Sequence, residues 1–304
     1  MAATLASRSP FLSPLERRTE ADRSKKAFAE TNQSDHLACL AAYMQFDSLS
    51  GQGRFDFARE RFLGIKTLQG VAQLKRQLLE ALSHAGIAPP GLRSSYVESI
   101  GRQQGNDGVR AALGQRFQAP QELLCALLSA ALFPQVAYLH APNTKKGPCA
   151  AELVRLHIRE PQGESSDPQT ACIHPSSVNS SVGGADWRST YLAFHECVRT
   201  TKVYVRDCTP VPPLGLLLFC GNDAHIAGPG VVEVDDWLRL KVSHGAAEMV
   251  VEMRRRVKGL MHVFVDKGDK ALARGDEGCG LCPPELGVAI IELLRMRVEP
   301  ERPS

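Results

Sequence analysis

The spacing of apolar residues changes near residue 136. Before that point apolar side chains recur every three or four positions, which is typical of amphipathic helices. The clearest stripe contains Leu68, Val71, Leu74, Leu78 and Leu82, and Gly86 follows it as an end signal. After residue 136 short β-branched and aromatic runs predominate, which predicts strands. The pattern therefore predicts an α+β fold, with a helical part followed by a β-rich part.

The same pattern predicts where several helices begin and end. Ser34 can cap the helix that follows it, because its hydroxyl can accept a backbone N–H of the first turn. Residues 91–118 are rich in Gly, Ser, Arg and Gln and predict a loop or a short helix. Pro120 opens a helix at 123–133 that is apolar on nearly all sides, so we expect it to be buried. A long helix is predicted at 246–265.

The strongest strand signal lies at residues 191–207. Aromatic and β-branched residues dominate it, which predicts one long strand or a tight pair of strands. Four basic residues are interleaved with them. Alternation along a single strand places His195 and Arg199 on one face and Lys202 and Arg206 on the other, unless a bulge intervenes. Basic side chains in this arrangement suit a polyanion.

Composition adds three expectations. The chain has 304 residues and a net charge of only +3, so the positions of the charges matter more than their sum. It has no run of eighteen apolar residues, which predicts that it does not span a membrane, and its apolar start at residues 1–6 is too short for the core of a signal peptide. Its nine scattered cysteines predict reduced thiols, and hence a cytoplasmic or nuclear location.

Motifs that carry enzymatic chemistry are missing from this sequence. It contains no G-x-x-x-x-G-K-[ST] loop for nucleotide phosphates and no D-E-x-H or D-E-A-D segment for magnesium, so no ATPase motor and no catalytic residue are predicted. Cys279 and Cys282 form a C-x-x-C without a second ligand pair, which favours a turn with two free thiols over a zinc site. His195 and Cys197 have no supporting residue for nucleophilic catalysis.

Several separated blocks carry a family resemblance. The segments HPSSVN (174–179), YLAFHECVRTTKVYVRDCTPVPP (191–213) and LLLFCG (216–221) resemble the C-terminal OB-fold of the DEAH/DExH-box RNA helicases. Upstream, SRSPFLSPL (7–15), EADRSKK (20–26), SDHLACLAAYMQF (34–46), FLGIKTLQGVAQLKRQLL (62–79) and LLCALLSAALFPQVAYL (123–139) resemble the helical ratchet region of these enzymes, in the same order. Phe46 stands where the family usually has a tryptophan.

The resemblance implies a division of the chain into parts. We expect a lead-in segment at 1–33 and a helical ratchet-like domain at 34–135 that contains the loop-rich segment at 91–118. An OB-fold-like domain with a following helix is expected at 136–270, its barrel extending over roughly 136–243, and a tail with a short helix at 271–304. In the family these parts lie in a longer chain, so we expect a fragment whose motor domains lie upstream and bind the ATP and magnesium.

The function implied is RNA binding as the C-terminal part of a DExH-type ATP-dependent RNA helicase, with single-stranded or structured RNA as the partner. The residues expected to contact RNA are Lys202, Arg206, Arg199, Thr200, Thr201, His174, Ser176, Ser177 and Arg76. No cofactor and no metal are expected in this chain itself. We expect mainly phosphate and sugar contacts, since the family acts on many sequences.

Simpler interpretations remain open for several of these residues. The serines after His174 can bond the local backbone at a strand end, the polar helix face that carries Arg76 can be merely solvated, and Trp187 can pack on the barrel instead of stacking on a base. The whole chain can also be a stand-alone protein-interaction module that kept the ratchet and OB architecture. Salt-dependent RNA binding separates the two functions.

Overall fold

The computed structural model describes residues 1–87, 93–113, 120–144, 147–159, 169–267 and 283–295. It contains helices and a closed five-stranded barrel, so the predicted α+β fold is confirmed. Two compact units are present. The first consists of Met1–Gln118 with Phe264–Ala273, and the second of Ala119–Val263 with Arg274–Ser304.

The first unit is helical, and its third helix is central. Its helices are α1 (Ala2–Leu5), α2 (Arg18–Ala29), α3 (Asp35–Ser48), α4 (Gly51–Glu60), α5 (Ile65–His84) and α6 (Ser94–Leu113). Each of the other five helices packs against α3. The Ser34 hydroxyl accepts the Leu37 N–H at 3.0 Å, which confirms the predicted cap of α3.

A buried ion pair joins α2 to α3. The Lys25 Nζ lies 2.7 Å from the Asp35 carboxylate, and the two side chains are only 10% and 0% exposed. Phe11 packs beside this pair, with its ring centroid 5.7 Å from that of Phe28. Phe11, Lys25 and Asp35 come from three separate blocks that carry the family resemblance, so those three blocks meet in one core here. Phe46, at the family's tryptophan position, is buried, and the Arg54 guanidinium lies 5.0 Å from its ring centroid.

Helix α6 is longer than the loop or short helix predicted at 91–118. Residues 94–113 form a continuous helix although they include several glycines and serines, which disfavour helix. The helix packs against α3 and α5, so tertiary contacts override local propensity. The lead-in segment is also part of this unit, since α2 packs on α3.

The second unit is built around the barrel. Its strands are β1 (Val136–His140), β4 (Arg155–Ile158), β5 (Gln169–Ile173), β6 (Tyr191–Arg199) and β7 (Val203–Pro210), and a separate small hairpin consists of β2 (Asn143–Thr144) and β3 (Gly147–Pro148). Around the barrel the order is β1-β4-β5-β7-β6, closing on β1. Only β5 and β7 run parallel, and the other neighbours are antiparallel. This is a five-stranded Greek-key barrel, as in the OB-fold.

Alternation along the strands fills the barrel. Ala137 and Leu139 of β1, with Leu156 and Ile158 of β4, point into the apolar core, so the residues between them face outward. Trp187 packs against the same core, which confirms the simpler of its two interpretations. Asp207 adopts a φ of 49°, but the β6–β7 register stays constant from Leu192↔Pro210 to Arg199↔Val203, so no bulge shifts the pairing.

Helices flank the barrel, and one of them was predicted to belong to the helical domain instead. Helix α7 (Gln121–Leu132) packs on β6 and on α8 (Pro213–Phe219), so it belongs with the barrel and not with the helical domain predicted to extend to residue 135. Gly215 makes the close approach of α8 possible, because a Cβ there would lie 2.7 Å from the Ala126 Cβ. Apolar residues on nearly all sides of α7 therefore find neighbours on several elements.

The barrel is shorter than predicted. Its last strand ends at Pro210, and the strands β8 (Ala224–Gly228), β9 (Val231–Val234) and β10 (Leu238–Lys241) form a separate antiparallel sheet. Two further helices follow, α9 (His244–Lys267) and α10 (Pro283–Arg295). Arg254 of α9 is buried and donates to the carbonyls of Leu217 at 2.7 Å and Gly221 at 2.8 Å.

The C-x-x-C at 279–282 lies outside the described residues. So do Lys145 and Lys146, where the segment NTKKGP predicts a hairpin tip. Among the helices that the structure does describe, none combines the length and the apolarity needed to cross a membrane.

Candidate nucleic-acid interface

The basic segment at 191–207 is a pair of strands joined by a tight turn. β6 and β7 pair antiparallel from Leu192↔Pro210 to Arg199↔Val203, and Thr200, Thr201 and Lys202 form the turn, with the Thr200 N–H bonded to the Lys202 carbonyl at 2.9 Å. The prediction left open one strand or two, and the structure shows two. Lys202 therefore lies in a turn, and the argument that it shares a strand face with Arg206 is wrong because strand alternation does not extend through the turn.

The end of this hairpin is exposed. Arg199, Thr200, Thr201 and Lys202 are all exposed to solvent. Lys202 forms no ion pair with any carboxylate in the described part of the chain. The turn thus presents an ammonium group and two hydroxyls on a narrow projection, a combination that can donate hydrogen bonds to phosphate oxygens.

Arg206 forms an ion pair with an acidic neighbour that the sequence analysis did not predict. Glu196 lies directly opposite Arg206 in the β6–β7 register, and the Arg206 Nη1 lies 3.5 Å from its Oε2. The Arg206 and Glu196 side chains are 40% and 57% exposed, so the pair is open to solvent. Once a hairpin with a turn at residues 200–202 is assumed, the register itself predicts this pair. Without the turn position, no sequence pattern links the two residues.

His174 and Ser176 lie beside β7. The His174 N–H donates to the Val205 carbonyl at 2.9 Å, which extends the parallel β5–β7 ladder by one residue. The His174 ring packs edge-on against Tyr204, with 5.7 Å between ring centroids. The Ser176 N–H also donates to the His174 Nδ1 at 3.2 Å, and the Ser176 hydroxyl lies 2.7 Å from the same nitrogen. The ring is therefore fixed in orientation next to Tyr204, a partly buried residue that the sequence reading did not single out.

Ser177 has a structural role. Ser177 is only 3% exposed, and its hydroxyl accepts the Asn179 N–H at 3.1 Å. The same oxygen lies 3.4 Å from the Cys208 Sγ. Ser177 thus caps the short 3-10 helix Val178–Ser181, as the simpler interpretation of this serine held, and it supports the loop from inside.

Arg76 belongs to the first unit. It lies on α5 with its side chain 52% exposed, and its Nη1 is 3.2 Å from the Glu98 carboxylate of α6. The exposed ion pair fits a solvated helix face, and such a pair contributes only about 0–1 kcal/mol to stability.

A second surface feature of the barrel consists of aromatic rings and was not predicted. Tyr191, Tyr138, His157 and Thr170 are direct cross-strand neighbours on the outer face of β6, β1, β4 and β5. The ring centroids of Tyr138 and Tyr191 are 5.6 Å apart with the planes edge-on at 64°, and those of Tyr138 and His157 are 6.4 Å apart with the planes stacked at 27°. We call these three rings the ring row. The signal in the sequence was alternation alone, because Tyr138 falls between the buried Ala137 and Leu139.

Burial perturbs the titrating groups of the ring row. Burial, and secondarily the neighbouring Tyr138, raises the pKa of Tyr191 to about 12. Burial followed by the nearby His140 lowers the pKa of the His157 imidazole below its usual value. His140 lies beside the row, with its ring centroid 5.8 Å from that of His157. At neutral pH the row is therefore an uncharged set of π surfaces.

Comparison with known proteins agrees with this architecture. Residues 124–222 match the family model "Oligonucleotide/oligosaccharide-binding (OB)-fold", a range that covers the barrel, most of α7 and all of α8. The mouse protein named putative ATP-dependent RNA helicase DHX57 is 38% identical over 274 residues, which is 86% of this chain and 19% of that protein. This chain is similar to DExH-box RNA helicases along most of its length.

Two further relatives support the same statement. The Arabidopsis thaliana DExH-box ATP-dependent RNA helicase DExH1 is 30% identical over 297 residues, 97% of this chain and 26% of its own. The human ATP-dependent DNA/RNA helicase DHX36 is 28% identical over 272 residues, 88% of this chain and 24% of its own. The chain thus spans about a fifth to a quarter of the relatives it matches, and the resemblance to a helicase-associated OB region is confirmed.

Proposed function

We propose that this chain is the RNA-binding part of a DExH-type ATP-dependent RNA helicase and that the β6–β7 hairpin is its main phosphate-binding element. The observation that supports this most directly is the position of the turn. Residues 200–202 join the fourth and fifth barrel strands in chain order, and this loop is one of those with which OB-folds bind oligonucleotides. Unwinding and ATP hydrolysis belong to motor domains outside this chain.

The chemistry of the hairpin suits a backbone contact without sequence preference. Lys202 provides a positive charge on a flexible stem, Arg199 directly precedes Thr200, and the two threonine hydroxyls are small enough to let a phosphate approach. Arg206 lies further along β7, and His174 lies beside β7 next to Val205, so both continue the path. Each phosphate neutralised by a cation releases counterions, so we expect affinity to fall steeply with salt.

The proposal assigns ATP and magnesium to the motor domains, because the sequence of this chain has neither a phosphate-binding loop nor a magnesium-binding carboxylate motif. We also propose that the protein acts in the cytoplasm or the nucleus.

The test uses the variant Lys202→Ala/Arg206→Ala in the full chain. Binding of a fluorescent single-stranded RNA is measured by anisotropy between 50 and 200 mM salt, with two unrelated sequences. We expect weaker binding to both sequences to a similar extent, and a slope of log affinity against log salt that is shallower by about 1–2, since each phosphate contact contributes a little under one.

The matched control is Arg8→Ala/Lys241→Ala, which removes the same charge from two other exposed positions. We expect the control to keep nearly the wild-type slope. An unchanged affinity and slope in the hairpin variant would reject the phosphate-binding role of the hairpin. If the wild-type chain binds no RNA at all, the protein-interaction alternative replaces the proposal.

A further inference from the structure

The ring row lies on the outside of the barrel, apart from the hairpin turn in sequence and chemistry. The hairpin offers charges and hydroxyls, whereas the row offers three flat rings held at centroid spacings of 5.6 and 6.4 Å. The row crosses the strands instead of following one of them, because its members are register partners on β6, β1 and β4. Strand pairing therefore fixes the spacing of the rings.

Each ring is anchored by its strand and still reaches the surface. The neighbours of Tyr138 and His157 along their strands point into the core, which forces both rings outward. Tyr138, His157 and Tyr191 are partly buried, and His140 beside them is exposed. Such rings lose little conformational freedom when a flat ligand stacks on them, since their orientation is already set.

The charges around the row favour an anionic ligand. Arg155 lies directly opposite His140 in the β1–β4 register. Its Nη1 donates to the carbonyls of Glu152 at 2.6 Å and Val154 at 2.9 Å, which positions the guanidinium, and it has no carboxylate partner within the described ranges. Thr170 adds an exposed hydroxyl at the other end of the row. Rings next to a fixed cation and a hydroxyl form a combination that suits a base together with its phosphate and sugar.

We infer that the ring row of Tyr191, Tyr138 and His157, with His140 and Arg155 at its side, is a stacking site for the bases of single-stranded nucleic acid. This inference rests on the proposed function and deepens it, because it assigns bases to one surface and phosphates to the hairpin. Every base has a π surface, so the site binds without strong sequence preference. Protein partners also use tyrosine-rich surfaces, and the test below distinguishes them from RNA.

The experiment compares two probes of equal length and charge on the full chain: a twelve-nucleotide oligouridine RNA and a twelve-unit abasic sugar-phosphate chain. Oligouridine is chosen because its bases stack little on one another. The variant is Tyr138→Leu/His157→Leu, which removes two π surfaces and keeps apolar bulk. We expect it to bind oligouridine about tenfold more weakly, equivalent to about 1.4 kcal/mol, and to bind the abasic chain within about twofold of the wild type.

A second variant, His140→Leu, changes an exposed residue and keeps the test valid if the double variant fails to fold. It should show a smaller loss of the same kind, confined to oligouridine. Tyr96→Leu is the control, since Tyr96 is a 52% exposed ring on α6 of the first unit. We expect the control to bind both probes like the wild type.

The outcomes separate the inference from the proposed function. If the folded ring-row variants bind oligouridine as tightly as the wild type, or lose the same factor for both probes, the stacking site is rejected while RNA binding by the hairpin stands. If the wild-type chain binds neither probe, the proposed function itself fails and the inference fails with it.

Discussion

Glu196 should limit the affinity of the hairpin for RNA, and its replacement by Gln tests this directly. In the structure its carboxylate lies 3.5 Å from the Arg206 guanidinium, so a phosphate that binds Arg206 must approach an existing negative charge. Glu196→Gln keeps the size and the hydrogen-bonding capacity of the side chain and removes that charge. We therefore expect the variant to bind RNA more tightly than the wild type.

The magnitude follows from two contributions. A phosphate on Arg206 would lie roughly 6 Å from the Glu196 carboxylate, and two like charges at that distance in a water-like dielectric repel by about 0.7 kcal/mol. Release of Arg206 from an exposed ion pair adds between about 0 and 1 kcal/mol. Together they predict binding that is about 3- to 20-fold tighter at low salt. The gain should shrink as ionic strength rises, because both charges are solvent-exposed and screened.

Anisotropy titrations with single-stranded RNA at 50 and 200 mM salt measure the effect. Glu252→Gln is the control, since Glu252 is another exposed acid that pairs with two arginines, Arg255 and Arg256, on α9. The neighbouring arginines lower the pKa of Glu252 to about 2, so it is charged at neutral pH and the two variants lose the same charge. Equal affinities of the two variants, or no gain from Glu196→Gln, would refute a contact between Arg206 and phosphate. The gain should also diminish in an Arg206→Ala background.

Three further predictions follow from single contacts. Asp35→Leu removes the carboxylate that pairs with the buried Lys25 ammonium and should lower the free energy of unfolding by about 3–5 kcal/mol in urea titrations, whereas Lys25→Met/Asp35→Leu should recover most of that loss. A loss below about 1 kcal/mol would contradict the buried pair. The pKa of His157 is lowered in the folded state, so just below pH 6.5 the unfolded chain binds more protons than the folded chain. The free energy of unfolding should therefore rise with pH in that window, and this rise should be smaller in His157→Gln. Cys197 is exposed near the hairpin tip, whereas Cys125 is buried and its burial raises its pKa to about 12. Mass spectrometry should show that iodoacetamide modifies Cys197 before Cys125, and that bound RNA slows the modification of Cys197.

Local signals predicted much of the fold. The stripe in α5, the cap at Ser34 and the change of period at Val136 all appear where the sequence places them. These features depend on neighbours within about four residues, and such neighbours are adjacent in any helix or strand. The loop or short helix predicted at 91–118 is instead the 20-residue helix α6, because packing on α3 and α5 overrides weak local propensity.

The candidate site was only partly accessible to the same reasoning. Sequence alone identified the hairpin segment and its basic residues, and it left open one strand or two. It could not show that Glu196 opposes Arg206, nor that Ser177 points inward. Both facts depend on the position of a turn and on the register of the strands that it joins, and a shift of one residue reverses every side chain.

By itself, the sequence determined the α+β order, the absence of motor motifs and the resemblance to DExH-box helicases. Tertiary structure alone decided which residues meet. The Lys25–Asp35 pair joins two helices, and the ring row brings Tyr138, His157 and Tyr191 together from three strands. The physical reason is that pairing between distant segments is set by the closure of the barrel and the packing of the helices, whereas periodicity records only which side of its own element each residue occupies.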